Sequence, residues 1–140
     1  MSQLWRSRYG EMANRIRVEL PLRRESPRRA RLALEPLRPS IDPDSFAEIC
    51  LVVSELVSDA VLADHADGAD RVELSARAEA DRVRIEVRAG AAAFEPLPSG
   101  PKPEDRGWGI YLLRRLGYRW EVDREEGSAQ VLAVKELGGG

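Results

Sequence analysis

The sequence predicts an α+β fold, a two-layer sandwich in which a mainly antiparallel sheet carries helices on one face. Three observations support this class. Five short segments alternate apolar and polar residues, as half-buried strands do. Three other segments repeat apolar residues at spacings of three and four, as amphipathic helices do. The later strands follow one another through short turns, so hairpins rather than crossovers join them.

A proline separates the first predicted strand from the first predicted helix. Residues 15–20 (RIRVEL) alternate in the strand pattern, and Pro21 closes it. Ser26 is a suitable N-cap, and Pro27 suits the first turn of a helix. Alanine and leucine then recur on one side of the segment, so we predict a short helix that ends near Pro36.

The clearest helix lies within residues 41–66, with Asp44 or Ser45 as its predicted N-cap. Glu55 and Asp59 are four residues apart, which makes them neighbours of like charge outside the apolar stripe. This pair is either solvated surface or part of a metal or phosphate site. The stripe that we expect in the core comprises Phe46, Ile49, Cys50, Val53, Leu56, Val57, Ala60 and Val61.

The second half of the chain is predicted to contain two hairpins, separated by a loop and a helix. Residues 71–77 and 82–88 alternate and are joined by a short turn. Residues 89–106 contain four of the nine prolines and no sustained period, which predicts a long functional or mobile loop. A helix is expected over 107–117, and the last hairpin should turn at Gly127.

The chain length fits one domain. With 140 residues, of which 43% are hydrophobic, the chain can bury a substantial core without a disulfide. We predict an N-terminal arm at residues 1–13, a single domain at 14–137 with its loop at 89–106, and a tail at 138–140. One cysteine, Cys50, excludes an intramolecular disulfide.

Charge is distributed unevenly along the chain. Residues 1–38 carry ten arginines and four acidic residues, whereas the whole chain has a net charge of −2. The arginines alternate with leucine and alanine rather than with stacking aromatics, so direct nucleic-acid binding is not expected. No apolar run is long enough for a membrane span, and no signal-peptide pattern is found, so we expect a cytoplasmic protein.

The stretches ELVSDAV (55–61), VRAGAAAF (87–94) and GWGI (107–110) stand out in this order of elements. Together with that order they resemble the Bergerat-fold (histidine-kinase-like, GHKL) ATPases, in particular the small bacterial anti-sigma factor and serine-kinase branch. The resemblance covers roughly residues 14–136. In that family a helix carries Glu-x-x-x-Asn, a strand end carries Asp-x-Gly-x-Gly, and a second glycine pair begins the helix after a mobile lid. The corresponding stretches here are ELVSDAV, VRAGAAAF and GWGI.

The helix motif is altered at one of its two positions. Glu55 matches the family glutamate, which orients or deprotonates the attacking group, and Asp59 replaces the asparagine that helps to hold Mg²⁺. A carboxylate is a hard oxygen ligand, so Asp59 could replace that asparagine in an active protein. Without metal, two adjacent carboxylates repel each other and the nucleotide phosphates.

The strand-end motif is altered more severely. Ala89 replaces the aspartate that accepts a hydrogen bond from the adenine amino group, and Ala91 and Ala93 replace the two glycines. A buried hydrogen bond to a charged group contributes about 1.5–3 kcal/mol, which is roughly 10- to 150-fold in affinity. Gly90 and Phe94 are retained next to the substituted positions.

The second glycine pair is intact. Gly107 and Gly109 precede a helix whose free N–H groups can bind an anion, and Trp108 lies between them, where it could fill the former pocket. The resemblance therefore implies a nucleotide-pocket remnant that keeps its phosphate end and lacks its adenine anchor.

Three functions are compatible with these residues. The first is a degenerate ATPase-fold regulator of transcription that acts by binding a sigma factor or a STAS-domain anti-anti-sigma factor and needs no cofactor. The second is an active serine kinase with Glu55 as base, Asp59 as Mg²⁺ ligand and ATP as substrate. The third is a ligand-sensing or structural module. The resemblance also implies a possible homodimer, and we favour the first function.

Overall fold

A computed structural model describes residues 14–63, 70–95 and 107–138. The predicted arm at residues 1–13 and most of the predicted loop, residues 96–106, lie outside the described residues. The order of elements is the predicted one. The elements are β1 (Arg15–Pro21), α1 (Ser26–Ala33), a 3₁₀ helix (Glu35–Ser40), α2 (Pro43–Leu62), β2 (Arg71–Ala78), β3 (Arg82–Ala89), α3 (Trp108–Arg115), β4 (Arg119–Glu125) and β5 (Ser128–Glu136).

The strands form one sheet in the order β1-β2-β3-β5-β4, and every neighbouring pair is antiparallel. Each strand alternates between a side chain that faces the helices and one that faces away. The core lies between the sheet and the helices, with α2 at its centre. This arrangement confirms the predicted α+β two-layer class.

Helix α2 is anchored to the sheet by a polar contact at its first half. The Tyr118 hydroxyl donates a hydrogen bond to the Glu48 carboxylate, 3.0 Å away, and the Lys135 ammonium pairs with the same carboxylate. The Lys135 ammonium also lies 5.5 Å from the centre of the Tyr118 ring. Burial and the neighbouring carboxylate raise the pKa of Tyr118, so the phenol remains a donor at neutral pH.

Two of the predicted helix caps are wrong. The N-cap of α2 is Asp42, whose carboxylate accepts a hydrogen bond from the Ser45 amide at 2.9 Å, and this bond lowers the pKa of Asp42. Asp44 lies inside the first turn instead. Ser26 is already helical, and its hydroxyl donates to the carbonyl oxygen of Pro21, which fixes the turn between β1 and α1.

The helices of the described ranges include none that is long and apolar enough to cross a membrane. Cys50 lies on α2, half-buried, and burial raises the pKa of its thiol. The thiol is therefore not activated toward nucleophilic chemistry.

Candidate functional site

Asp59 occupies the centre of the site that the sequence motifs predict. Its side chain is 3% exposed, so the surface-pair interpretation is wrong for this residue. Asp59 Oδ2 accepts a hydrogen bond from the Phe94 amide at 2.7 Å, and Oδ1 accepts one from the Gly107 amide at 2.9 Å. Bonds from amides to a carboxylate are stronger than neutral ones, so Asp59 holds both flanks of the predicted loop against α2.

Glu55 lies one turn earlier on α2, and its surroundings are different. It is half-buried and lines a groove of about 640 Å³ between α1 and α2, together with Arg28, Arg31 and Leu51. Within the described part of the chain, Glu55 takes part in no hydrogen bond or ion pair. The two carboxylates therefore do not share an environment, although they are neighbours on the helix.

Ala89 ends β3 on the face that meets the helices. It is 6% exposed, belongs to the apolar core and pairs with Ala129 of β5. Its methyl group cannot accept a hydrogen bond at the position where the family aspartate would bind adenine. Ala89, which the resemblance identifies as a replacement of aspartate, is thus packed as an ordinary core residue.

A tight turn follows Ala89. The Ala93 amide donates to the Gly90 carbonyl oxygen at 3.0 Å, and the Ala93 side chain is fully buried, whereas Ala91 is half-buried. Phe94 has a φ of 64°, a left-handed conformation that costs energy for a residue with a side chain. Its bond to Asp59 and the burial of its ring hold it there.

No sequence pattern identifies the residue that closes this turn. Arg124 of β4 donates to the carbonyl oxygens of Ala91, Ala93 and Phe94 at 2.8, 2.9 and 3.0 Å. In the sheet register, Arg124 pairs with Ala129, which in turn pairs with Ala89. The two small side chains leave room for the arginine to cross β5. Arg124 lies in a hairpin with many other charged residues, so the local sequence does not indicate that it binds the carbonyl groups of this turn.

Gly107 and Gly109 both have a structural reason to be glycine. Gly107 is the N-cap of α3 with a φ of 94°, which a residue with a side chain adopts only under strain. A Cβ atom on Gly109 would lie 2.5 Å from Leu56 Cδ2 and 2.9 Å from Leu56 Cα. Gly109 therefore allows α3 to cross α2 closely, and the glycine pair does not by itself indicate phosphate binding.

Trp108 lies between these glycines and is half-buried. Its ring meets that of Tyr111 edge to face, with 5.4 Å between the ring centres. The idea that Trp108 fills the former pocket stays a prediction.

Magnesium-bound ATP, which the sequence resemblance implies, fits these residues poorly. The Gly107 amide lies at the helix terminus where an anion would bind, and it already donates a hydrogen bond to Asp59. Ala89 has no side-chain acceptor for the adenine amino group. Over the described ranges, no cluster of three or more histidine, cysteine or acidic side chains could hold a metal ion.

Helices on one face of a five-stranded antiparallel sheet are the architecture that the sequence resemblance implies. A family model of the histidine kinase-like ATPase domain matches residues 20–135. Because this match spans most of the chain, the protein belongs to that family. A comparison with curated proteins found no match.

Proposed function

We propose that this chain is a degenerate histidine kinase-like ATPase domain that acts by binding a protein partner, with ATP binding weakened or lost. The observation that carries the proposal is the Asp59 carboxylate, which takes the amides of Phe94 and Gly107. The Asp59 carboxylate thus occupies backbone amides that a bound anion, such as a nucleotide phosphate, would otherwise use. No ligand is needed to hold the two flanks of the loop.

The partner chemistry follows from the branch that the sequence resembles. We propose an anti-sigma-like role, in which the protein sequesters a sigma factor or docks a STAS-domain antagonist without phosphoryl transfer. The protein would then regulate transcription through partner exchange alone. A complex of the protein with such a partner should form equally well with and without Mg-ATP, which gel filtration of the purified components can test.

Nucleotide binding is tested by a thermal melt with and without Mg-ATP. We expect no shift of the melting midpoint for the natural chain. A ligand present at 100 times its Kd stabilises a protein by about 2.7 kcal/mol, so micromolar binding would be readily seen. Micromolar binding would contradict the proposal, and transfer of the γ-phosphate to a serine would in addition support an active kinase.

Reversion of the altered motif provides the matched experiment. The variant combines Ala89→Asp, Ala91→Gly, Ala93→Gly and Asp59→Asn, which should restore the adenine acceptor and leave at most one of the Phe94 and Gly107 amides bound to residue 59. Since Arg124 lies in the same sheet row as Ala89, its guanidinium is positioned to compete for the new carboxylate.

A second variant therefore adds Arg124→Met to the four substitutions. Restored Mg-ATP binding in either variant, absent in the natural chain, would support loss of function at these residues. If neither variant gains binding, the four substitutions are not what separates this chain from ATP-binding relatives, and this account of the loss is wrong.

A further inference from the structure

The face of the sheet opposite the helices carries an unusual row of like charges. Arg15 of β1 pairs in register with Arg77 of β2, and Arg77 pairs with Arg84 of β3. These three residues, called here the arginine row, stand side by side on three neighbouring strands, about 5 Å apart from strand to strand. Like charges directly opposite each other on a sheet destabilise it. A local arrangement that costs stability is a candidate for function.

The charge of the arginine row is only weakly compensated within the chain. Glu79 is the nearest acid, with oxygen-to-nitrogen distances of 3.9 Å to Arg77 and 3.5 Å to Arg84. The same carboxylate also lies 3.9 Å from Arg82. One half-buried carboxylate that is shared by three guanidinium groups, at 3.5 Å or more from each, contributes little to any one of them.

The first strand contributes Arg15 of the row and one further arginine, Arg17, on the same face. Across the ranges that the structure describes, neither Arg15 nor Arg17 forms an ion pair. Both are exposed. Their guanidinium groups therefore remain available to a ligand from solution, with donors suited to carboxylate or phosphate oxygens.

The arginine row borders a shallow depression of about 280 Å³ on this face. Its lining includes all three residues of the row together with Arg17, Ser75 and Glu86. Because the surface is concave here, several guanidinium groups can contact the same bound group.

We propose that the arginine row is the docking site for an acidic segment of a protein partner. This inference rests on the proposed function, because it supplies the surface that would recognise the partner. Two or three carboxylates on an extended or helical segment could match arginines on adjacent strands, and such matching mainly increases the association rate and specificity. The site would lie on the sheet face, away from the former nucleotide pocket between α2 and α3.

Nucleic acid is a poorer match for the same surface. Over strands β1 to β3 the outward-facing side chains include no aromatic residue on which a base could stack. Glu19 pairs with Glu73 two rows further along the same face, and Glu86 lines the depression itself. A continuous phosphate backbone would meet these carboxylates, whereas a short acidic segment need not.

The experiment uses the full chain and a fluorescein-labelled polyglutamate peptide as the probe. We compare the natural chain with the triple variant Arg15→Gln, Arg77→Gln, Arg84→Gln. The control variant carries Arg29→Gln, Arg114→Gln and Arg115→Gln, which remove the same charge from exposed positions on the helical layer. A polyglutamine peptide and an oligothymidine of similar length serve as control ligands, and binding is measured by fluorescence anisotropy at two salt concentrations.

We expect the triple variant to bind polyglutamate about tenfold or more weakly, since an affinity change of tenfold requires only about 1.4 kcal/mol from three contacts. The control variant should keep its affinity. The triple variant should also melt at the same temperature or higher, because repulsion within the row is relieved. That result would show that the loss of binding is not a loss of folding.

Several outcomes would overturn the proposal. They are absence of polyglutamate binding at low salt, equal weakening by both variants, and tighter binding of oligothymidine than of polyglutamate. Dissociation of a homodimer by the triple variant, measured by sedimentation, would assign the face to a second copy instead. Mg-ATP melts of the same samples separate the two proposals, because nucleotide binding would contradict the proposed function and leave the result for the arginine row unchanged.

Discussion

Asp59 differs from the expected asparagine by a single group, and its contacts explain why that difference matters. A carboxylate offers two acceptor oxygens, and each one here accepts a backbone amide. An asparagine at the same position offers one acceptor, and its amide nitrogen would face another donor. The substitution therefore suits a structural role in joining α2 to two distant parts of the backbone.

Replacement of Asp59 tests this role. We expect Asp59→Ala to lower the free energy of unfolding by about 2–4 kcal/mol, because two amides lose a charged acceptor in a buried site. Asp59→Asn should cost less, since one bond can persist. Urea denaturation provides the measurement.

Glu55→Gln is the matched control for this experiment, because it removes a half-buried carboxylate of the same helix that has no hydrogen bond among the described residues. Its effect should be close to zero. If Asp59→Ala is as mild as Glu55→Gln, the two bonds do not hold the loop flanks, and the main support for the proposed function is lost.

Among the elements, the crossing of α2 and α3 is the contact that positions the site. Gly109 lies against Leu56, where an added Cβ atom would be 2.5 Å from the Leu56 side chain and 2.9 Å from its Cα atom, so the two helices cross closely. The close crossing of the helices places Gly107, the N-cap of α3, next to the Asp59 carboxylate. The geometry of the site thus depends on helix packing as well as on the motif residues.

Gly109→Ala should therefore be strongly destabilising. The new methyl would overlap the Leu56 Cα atom, which cannot rotate away as a side chain can, and overpacking of this kind costs about 1–3 kcal/mol. Chemical denaturation measures the change. Gly138→Ala is the control, because a methyl there meets nothing within 4 Å. Equal stability of the two variants would mean that the helices can move apart without cost.

For the whole molecule, the two faces of the sheet have different roles. One face is covered by the helices and contains the remnant site, and the other presents the arginine row. Because the two faces are separate, the proposed loss of nucleotide binding at one face would leave the charged surface of the other unchanged. Among the described arginines of residues 1–38, Arg15 and Arg17 lie on the sheet face, whereas Arg28, Arg31 and Arg38 line the groove of the helical layer.

Deletion of residues 1–13 tests the predicted domain boundary. Strand β1 begins at Arg15 and pairs with β2 along its whole length, so the paired sheet does not require the deleted segment. We expect the truncated chain to keep its circular dichroism spectrum and its melting midpoint within a few degrees. A large drop in the midpoint would show that the domain begins earlier than residue 14.

The order of elements could be predicted because periodicity is a local property. Strand alternation and the apolar stripe of α2 depend on residues a few positions apart, and these patterns were sufficient for the fold class. The caps were less predictable, since Asp42, Asp44 and Ser45 are all suitable N-cap residues. Only the backbone path at Asp42 distinguishes them.

The site could be predicted only in part. The motif comparison placed Glu55, Asp59, Ala89 and the glycine pair in the same region, but it could not show how Asp59 is used. Its partners are 35 and 48 residues away in the chain, and Arg124 lies 30 to 33 residues from the carbonyl groups that it binds. No periodicity links positions so far apart.

The sequence by itself determined the class of fold and the apolar side of each element, because these follow from residue type and short-range spacing. Only the tertiary structure decided that Asp59 is buried and bound to Phe94 and Gly107, and that three arginines form one row. The physical reason is that hydrogen bonds and strand register depend on how distant segments meet in space.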